Sequence, residues 1–355
     1  MQQTLLPLPL LQVLASKKPL KKYRFVDLCA GIGTGRLGLE KAGFECVAYS
    51  EIDASATYLY EQLHAEKHPN QGDLTLISAE QLPSCDLLIA GFPCQTFSIV
   101  GKRKGLDDDR GQIIYHLVRL LKAKQIPYFI LENVKGLVNL QQGAILKEII
   151  ATLEDAGYSV HYHVLNSLDY GVPQSRERIY FVGIRRDLEV QRFVFPSQHR
   201  EIPCALKDCI IETDVSFILQ ENTPKYDTFL RYLQNKYNQG QYSLEELLRH
   251  DYLVLDTRQS DLRLYQDKVP TLRTGRHGIL YVKDAQLRAL SAKEAMRLQG
   301  FSESYIERLS DYANTDLLSK VGNAMSIPVI QALGEALMPI MQANETKRLE
   351  STNGN

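Results

Sequence analysis

The chain has 355 residues, 44% hydrophobic and 23% charged, with 22 Gly and 14 Pro. At roughly 150 residues per domain this makes about two domains with a full core, which excludes a stapled mini-protein, a collagen-like chain and a disordered linker. Lys plus Arg number 41 against 42 Asp plus Glu, a net charge of −1, so any nucleic-acid-binding face must be a local concentration of charge.

In chain order, the first apolar stretch, Leu5 to Ala15, is broken by Pro7, Pro9 and Gln12, and its lysines follow it. It is read as neither a signal peptide nor a membrane span. Short β-rich runs then alternate with helical patterns: strands at Arg24–Cys29, Cys46–Ser50, Asp86–Ala90 and Pro127–Leu131, helices at Arg36–Ala42, Ala54–Leu63 and Gly111–Lys124. Two more runs, Tyr158–Leu165 and Arg178–Ile184, continue the sheet. This alternation predicts an α/β, doubly wound sheet. From Arg186 to about Lys268 the rhythm breaks and prolines and tyrosines accumulate, which predicts a second, smaller domain. Gly278–Val282 then reads as a strand, Ser291–Glu294 as a capping box opening a helix through Leu298, and Gln331–Met341 as the last helix, ahead of a disordered tail at 343–355.

In an open α/β sheet ligands bind beyond the carboxyl ends of the strands. After the first strand come Gly31 and Gly33, and after the second comes Glu51, an acid suited to a ribose diol; nicotinamide-linked and S-adenosylmethionine-binding folds share this pattern. The third run leads into Gly91-Phe-Pro-Cys-Gln95, placing Cys94 at the same edge. A thiol with a pKa near 8.5 is only about 3% thiolate at pH 7, so catalysis there needs nearby positive charge, for which Lys102, Arg103, Lys104 and Arg110 are candidates; the alternatives are a packed thiol and a solvated loop. The fourth run ends in Glu132, either a half-buried proton donor or a helix cap. Gln174, Arg176 and Arg178 alternate onto one face, where two arginines can hold an anion or pair at the surface. The six cysteines, Cys29, Cys46, Cys85, Cys94, Cys204 and Cys209, read as reduced thiols of a cytoplasmic protein. Cys204 and Cys209 are near each other, but no second pair at zinc-ligand spacing accompanies them, so no metal is expected.

Taken together, Phe25-Val-Asp-Leu-Cys-Ala-Gly-Ile-Gly33, Tyr49-Ser-Glu-Ile-Asp53, Gly91-Phe-Pro-Cys-Gln-Thr-Phe-Ser98 with Asp109-Arg-Gly111, Glu132-Asn-Val134, Gln174-Ser-Arg-Glu-Arg178, and Leu298-Gln-Gly-Phe301 with Gly322-Asn323 resemble the DNA (cytosine-5) methyltransferases in order and spacing. The resemblance runs from about residue 23 to 341. It implies a Rossmann-like, S-adenosylmethionine-dependent methyltransferase fold with a smaller target-recognition domain: an extension at 1–22, a catalytic and cofactor-binding part at 23–185, target recognition at 186–268, and a return at 269–342. It implies Cys94 as the nucleophile on C6 of a flipped-out cytosine, Glu132 as the acid at N3, and Arg178, with Arg176 nearby, as the group that orients the base through its carbonyl oxygen and supports the loop.

The same resemblance implies that S-adenosyl-L-methionine is held by Gly31 and Gly33, by Glu51 at the ribose, by Asp73 at the adenine amino group, by Pro93 and Ile113 in the pocket wall, and by Asn323. The neighbours Cys29, Ile32, Ile52, Leu74 and Ala324 complete the set. Cys29 stands where the family usually has Phe, Ile52 where a large aromatic is frequent and Thr34 where Gly is usual, which implies weaker adenine stacking. The loop Ser98–Arg110 resembles a mobile catalytic loop, with Ser98, Lys102 and Arg110 toward DNA. Arg258, Arg263, Arg273, Arg276 and His277 are candidates for phosphate or guanine. The expected partner is double-stranded DNA, with a restriction endonuclease possible but not required, no membrane, and a monomer. The alternatives are a transfer-RNA methyltransferase of the same family and a DNA-binding protein without catalysis; a nicotinamide-linked oxidoreductase leaves most of the segments unexplained.

Overall fold

The computed structural model describes residues 21–93, 113–188, 192–197, 204–275 and 277–353. Its main sheet has six strands in the order β2-β1-β3-β4-β7-β5, formed by β1 (Arg24–Leu28), β2 (Glu45–Ser50), β3 (Leu87–Gly91), β4 (Tyr128–Val134), β5 (Tyr158–Asn166) and β7 (Glu177–Arg185). Only β7 runs against the others, between β4 and β5. The helices α1 (Thr34–Lys41), α2 (Ala54–His64), α3 (Ile113–Lys124) and α4 (Ala144–Asp155) fall between strands as the alternation predicts.

The central strands β3 and β4 are apolar on both faces because both faces are covered. Leu88, Ala90, Phe129 and Leu131 pack with Leu117, Leu121 and Ile149 of α3 and α4. Their neighbours Leu87, Ile89, Tyr128 and Ile130 point the other way, onto Leu39 of α1 and onto Leu333 and Leu337 of the C-terminal helix α11 (Ile327–Asn353). The crossing of α1 with α11 is close: a Cβ on Gly38 would lie 2.6 Å from Ile330 Cβ.

A two-residue strand, β6 (Gln174–Ser175), pairs in parallel with β10 (Val269–Pro270) and draws the return of the chain onto the edge of the main body. The remaining strands, β8 (Val254–Asp256), β9 (Arg263–Tyr265), β11 (Ile279–Lys283) and β12 (Gln286–Ala289), form a separate antiparallel sheet in the order β12-β11-β8-β9. Phe229 and Leu233 of a helix at Pro224–Leu233 pack against Leu255, Leu280 and Val282 of that sheet. The sheet crosses residue 268, where the sequence suggests that the main body resumes, because β11 pairs back onto β8. β11 and β12 are joined by a two-residue turn with Asp284 and Ala285 both at φ 53.

The helix Ala292–Gln299, here α8, opens with the expected capping box: Ser291 Oγ accepts from Glu294 N and the Glu294 carboxylate accepts from Ser291 N. The C-terminal expectation is corrected. Residues 343–353 are not a loose tail but continue α11, and Asn344 donates to Tyr128 Oη at 2.8 Å while Glu345 accepts from Tyr23 Oη at 2.9 Å; the last two residues lie outside the described ones. The run Asn314–Glu350 is long and apolar enough to cross a membrane, but 61% of its apolar window is buried and Ile330, Leu333, Leu337 and Met341 fill the core. It is a core helix of this body.

Candidate active site at the carboxyl edge of the sheet

The turn after β1 carries positive φ at Cys29, Gly31 and Gly33, which lifts the backbone over the sheet edge. A Cβ on Gly31 would meet nothing within 4 Å, so the chain is open to a ligand there, whereas one on Gly33 would lie 2.2 Å from His64 Nε2. Opposite, Glu51 is held by three backbone donors. Gly31 N donates to Oε2 at 2.7 Å, and Ile52 N and Asp53 N donate to Oε1 at 2.9 and 2.8 Å. A carboxylate offers about four lone-pair sites, so one is left on Oε2 for a hydroxyl. Asn70 fixes this strand end by accepting from Glu51 N at 3.0 Å and donating to Glu51 O at 2.8 Å. Asp73 ties Oδ1 to Thr75 N at 2.8 Å and lines, with Glu51, Ile52 and Asn70, an open groove of about 540 Å³.

Next along the edge, β3 and β4 pair so that Gly91 lies opposite Glu132. Asn133 Nδ2 donates to Phe92 O at 2.9 Å, which pins the segment leading to position 94 beside that carboxylate. From β7, Arg178 Nε meets Glu132 Oε1 at 3.1 Å while its Nη1 donates to Glu177 O. Both side chains are nearly buried, 13% and 11% exposed, so the pair acts in a poorly screened setting. The result is a carboxylate and a guanidinium fork facing a protein edge where a planar polar ligand can meet both.

A family profile decides what this edge belongs to: the profile of C-5 cytosine-specific DNA methylase matches residues 23–338. The chain belongs to that family. It is 36% identical over 326 residues to the Type II methyltransferase M.BsuFI of Bacillus subtilis, covering 89% of this chain and 72% of that protein. It is 33% identical to M.HhaI of Haemophilus parahaemolyticus, covering 88% and 94%. Among solved structures, a DNA modification methyltransferase encoded within an E. coli prophage superposes with a TM-score of 0.65 at 22% identity, covering 90% of this chain and 100% of that one. The Dnmt2 methyltransferase of S. pombe does so at 0.62 and 21%, covering 90% and 99%. The fold is accordingly the α/β methyltransferase fold of this family, and the nicotinamide-linked alternative falls away.

In this C-5 cytosine methylase the structure brings Glu51, Ile52 and Asp73 to one groove, with Gly31 bonded to Glu51 beside it and Gly33 turned toward His64, and Glu132 and Arg178 to one pair. Ile52 is 76% exposed there, an apolar surface beside Glu51. Cys29 borders the same turn; burial, followed by the nearby Glu51, pushes its thiol up to about 12, which keeps it a neutral wall. Ile32 and Leu74 are core side chains, which leaves only their backbones for a ligand. Pro93 and Asn323 are exposed, Ala324 is buried, and Ile113 opens α3. Cys94, Ser98, Lys102, Arg110 and Arg276 lie outside the described residues.

Two predicted arginines are placed differently from the expectation. Arg176 is buried and donates to Leu272 O at 3.0 Å and Gly322 O at 3.2 Å, so its fork holds two returning backbone segments and does not share a ligand face with Arg178. Burial and then Arg178 pull its guanidinium below its usual value. Arg258, expected at DNA, has a side chain only 3% exposed; it clamps Asp256 with two bonds, at 2.7 and 2.8 Å, and donates to Thr271 O. Arg273 and His277 are exposed, and Arg263 is 52% exposed beside Asp261. Sequence reasoning gave no role to Asn70, Asp256 or, within the Glu132-Asn-Val134 motif, Asn133. They lie one to three residues from Asp73, Arg258 and Glu132, which it did single out, but their partners are set by the tertiary structure.

Proposed function

We propose that this C-5 cytosine DNA methyltransferase modifies one cytosine within a short duplex site, as the modification partner of a restriction system or alone, through a covalent bond from Cys94. The observation that carries the reading is the Glu132–Arg178 pair beside the tethered Phe92–Pro93 lead into position 94. Cytosine C5 is a weak nucleophile, so Cys94 Sγ adds to C6 and pushes electron density toward C5. Glu132 presents its carboxyl to N3, and the remaining donors of the Arg178 fork meet the base carbonyl oxygen, dispersing the charge that builds up during attack. Loss of the C5 proton and departure of Cys94 from C6 then restore the aromatic ring. The base must leave the duplex stack to reach this edge.

The groove fits S-adenosyl-L-methionine: Glu51 keeps an acceptor for a ribose hydroxyl, Asp73 keeps Oδ2 for an amino group, and the Gly31 turn is open toward both. Bound there, that molecule supplies an electrophilic methyl group for C5. Residues 1–22 form an extension, the body is built from 23–185 and the return after 269, and the small sheet belongs with target recognition over 186–268 and beyond it. Exposed Arg263 and Arg273, with Arg276, Ser98, Lys102 and Arg110, are assigned to DNA. The protein works in the cytoplasm as a monomer and needs no endonuclease for activity.

The test is bisulfite sequencing after incubation with S-adenosyl-L-methionine and unmethylated genomic DNA, with bulk transfer RNA and a Cys94→Ala protein in parallel. Protection in one short DNA motif, absent with the variant, is the expected result. Protection confined to transfer RNA would move the substrate to the other branch, and an active Cys94→Ala would remove the covalent route.

A further inference from the structure

Cys204 and Cys209 have no part in the chemistry proposed above, yet their sulfurs lie 3.2 Å apart. Both are free thiols, one exposed and the other buried. Cys204 N donates to Gly171 O at 3.1 Å, which fixes its backbone, and Cys209 ends the short helix Leu206–Cys209. Cys209 packs in the cluster containing Met296 and Leu298 of α8. A disulfide has its sulfurs about 2.05 Å apart, so closure asks for a movement of about 1 Å, within reach of a side-chain rotation at the exposed Cys204.

We propose that Cys204 and Cys209 form a reversible intramolecular disulfide on contact with a low-molecular-weight disulfide. The exposed Cys204 reacts first: its thiolate attacks the oxidant, one small thiolate leaves, and a mixed disulfide remains on Cys204. Cys209 then loses its proton and attacks the Cys204 sulfur, the second small thiolate leaves, and the bridge closes. Two protein thiols are oxidised and one disulfide of the oxidant is reduced to two small thiols, which take up the two protons that the protein thiols lose. The division of labour follows from accessibility, since burial and the neighbouring Cys204 push the Cys209 thiol up and leave it as the resolving group. The bridge would lock the segment hung on Gly171 against α8, whose Leu298 O also receives the Gln174 side chain. It would thus tie a covalent strap next to the scaffold of the Arg176–Arg178 stripe.

The experiment exposes the full native chain to oxidised glutathione, blocks remaining thiols with iodoacetamide, and maps tryptic peptides by mass spectrometry. Methyl transfer is not the readout, because Cys94 is itself a thiol. The expected result is a linked 204–209 peptide lacking two hydrogens, reopened by dithiothreitol. Cys209→Ser is expected to accumulate glutathione on Cys204, and Cys204→Ser to leave Cys209 unmodified in the folded protein. A wild-type chain that keeps glutathione on Cys204 without closing, or leaves both thiols open to iodoacetamide, overturns the proposal. So does a bridge that forms only in denaturant.

Discussion

Glu51→Gln separates ligand binding from loop support, because the carboxylate does both. Oε1 serves the Ile52 and Asp53 N–H groups, so the amide oxygen of the variant must take that place, and its NH₂ then faces Gly31 N–H, which now donates to Oε2 at 2.7 Å. The reverse orientation sets NH₂ against two donors and is worse. The free protein loses one charge-assisted bond at a half-exposed site, about 1 kcal/mol of stability. The acceptor left for a ribose hydroxyl disappears as well, and a charge-assisted bond to a ligand is worth about 1.5–3 kcal/mol, or roughly 10- to 100-fold in affinity. Isothermal titration with S-adenosylhomocysteine, alongside thermal melting, measures both quantities. A dissociation constant within about threefold of wild type, whatever the melting shift, would mean that Glu51 only buttresses the turn and the reasoning would be wrong.

Three further outcomes follow from the geometry. Arg178→Met should lower the methyl-transfer rate by roughly 10²–10³, the usual cost of a charge-stabilising donor, while titration with S-adenosylhomocysteine is unchanged; a rate within about threefold of wild type would detach Arg178 from the chemistry. Asn133→Ala deletes the bond to Phe92 O and should cost about 1–3 kcal/mol and slow adduct formation with duplex 5-fluorocytosine; unaltered trapping would show that the lead into Cys94 needs no tether. Arg258→Ala leaves Asp256 buried without its cation and should cost about 3–5 kcal/mol in denaturant unfolding, with the salt slope of DNA binding unchanged, whereas a phosphate contact would lower that slope by about one. Arg258 holds the Asp256 carboxyl below its usual range against burial, so this contribution is fully present above the unfolded value near 4 and fades as pH falls through the folded one. The variant's acid limb should lack that component, and superimposable wild-type and variant acid limbs would contradict the assignment.

The body of the fold was legible because its signals are local. The central strands β3 and β4 are continuous apolar runs covered on both sides, and the capping box at Ser291 is written in four consecutive residues. The ligand edge was legible for the same reason, since Gly31, Glu51, Gly91 and Glu132 each follow the end of an apolar run. The tail was misread because Asn344 and Glu345 look solvated in sequence, and their partners Tyr128 and Tyr23 lie 216 and 322 residues away. The small sheet was divided at residue 268 because β8 and β9 are three-residue strands, too short to show a period, while their partner β11 is plainly a strand.

The arginines show where sequence reading stops. An arginine that contacts a phosphate and one that holds a carbonyl have the same neighbours in sequence, and only the distance to a remote backbone oxygen tells them apart. Arg176 lies 96 residues from Leu272 and 146 from Gly322. It works with two other buried side chains: Gln174 donates to Leu298 O and accepts from Leu272 N, and Gln299 donates to Val321 O and Ala324 O. Gly322 completes the joint, because a Cβ there would come within 2.5 Å of the Arg273 carbonyl carbon. Truncating any of these three polar side chains would strand buried backbone groups that water cannot reach. The motif Gln174-Ser-Arg-Glu-Arg178 therefore divides by function along one strand edge. Gln174 and Arg176 fasten the two C-terminal returns to the sheet, and Arg178, the last of the stripe, is left facing Glu132.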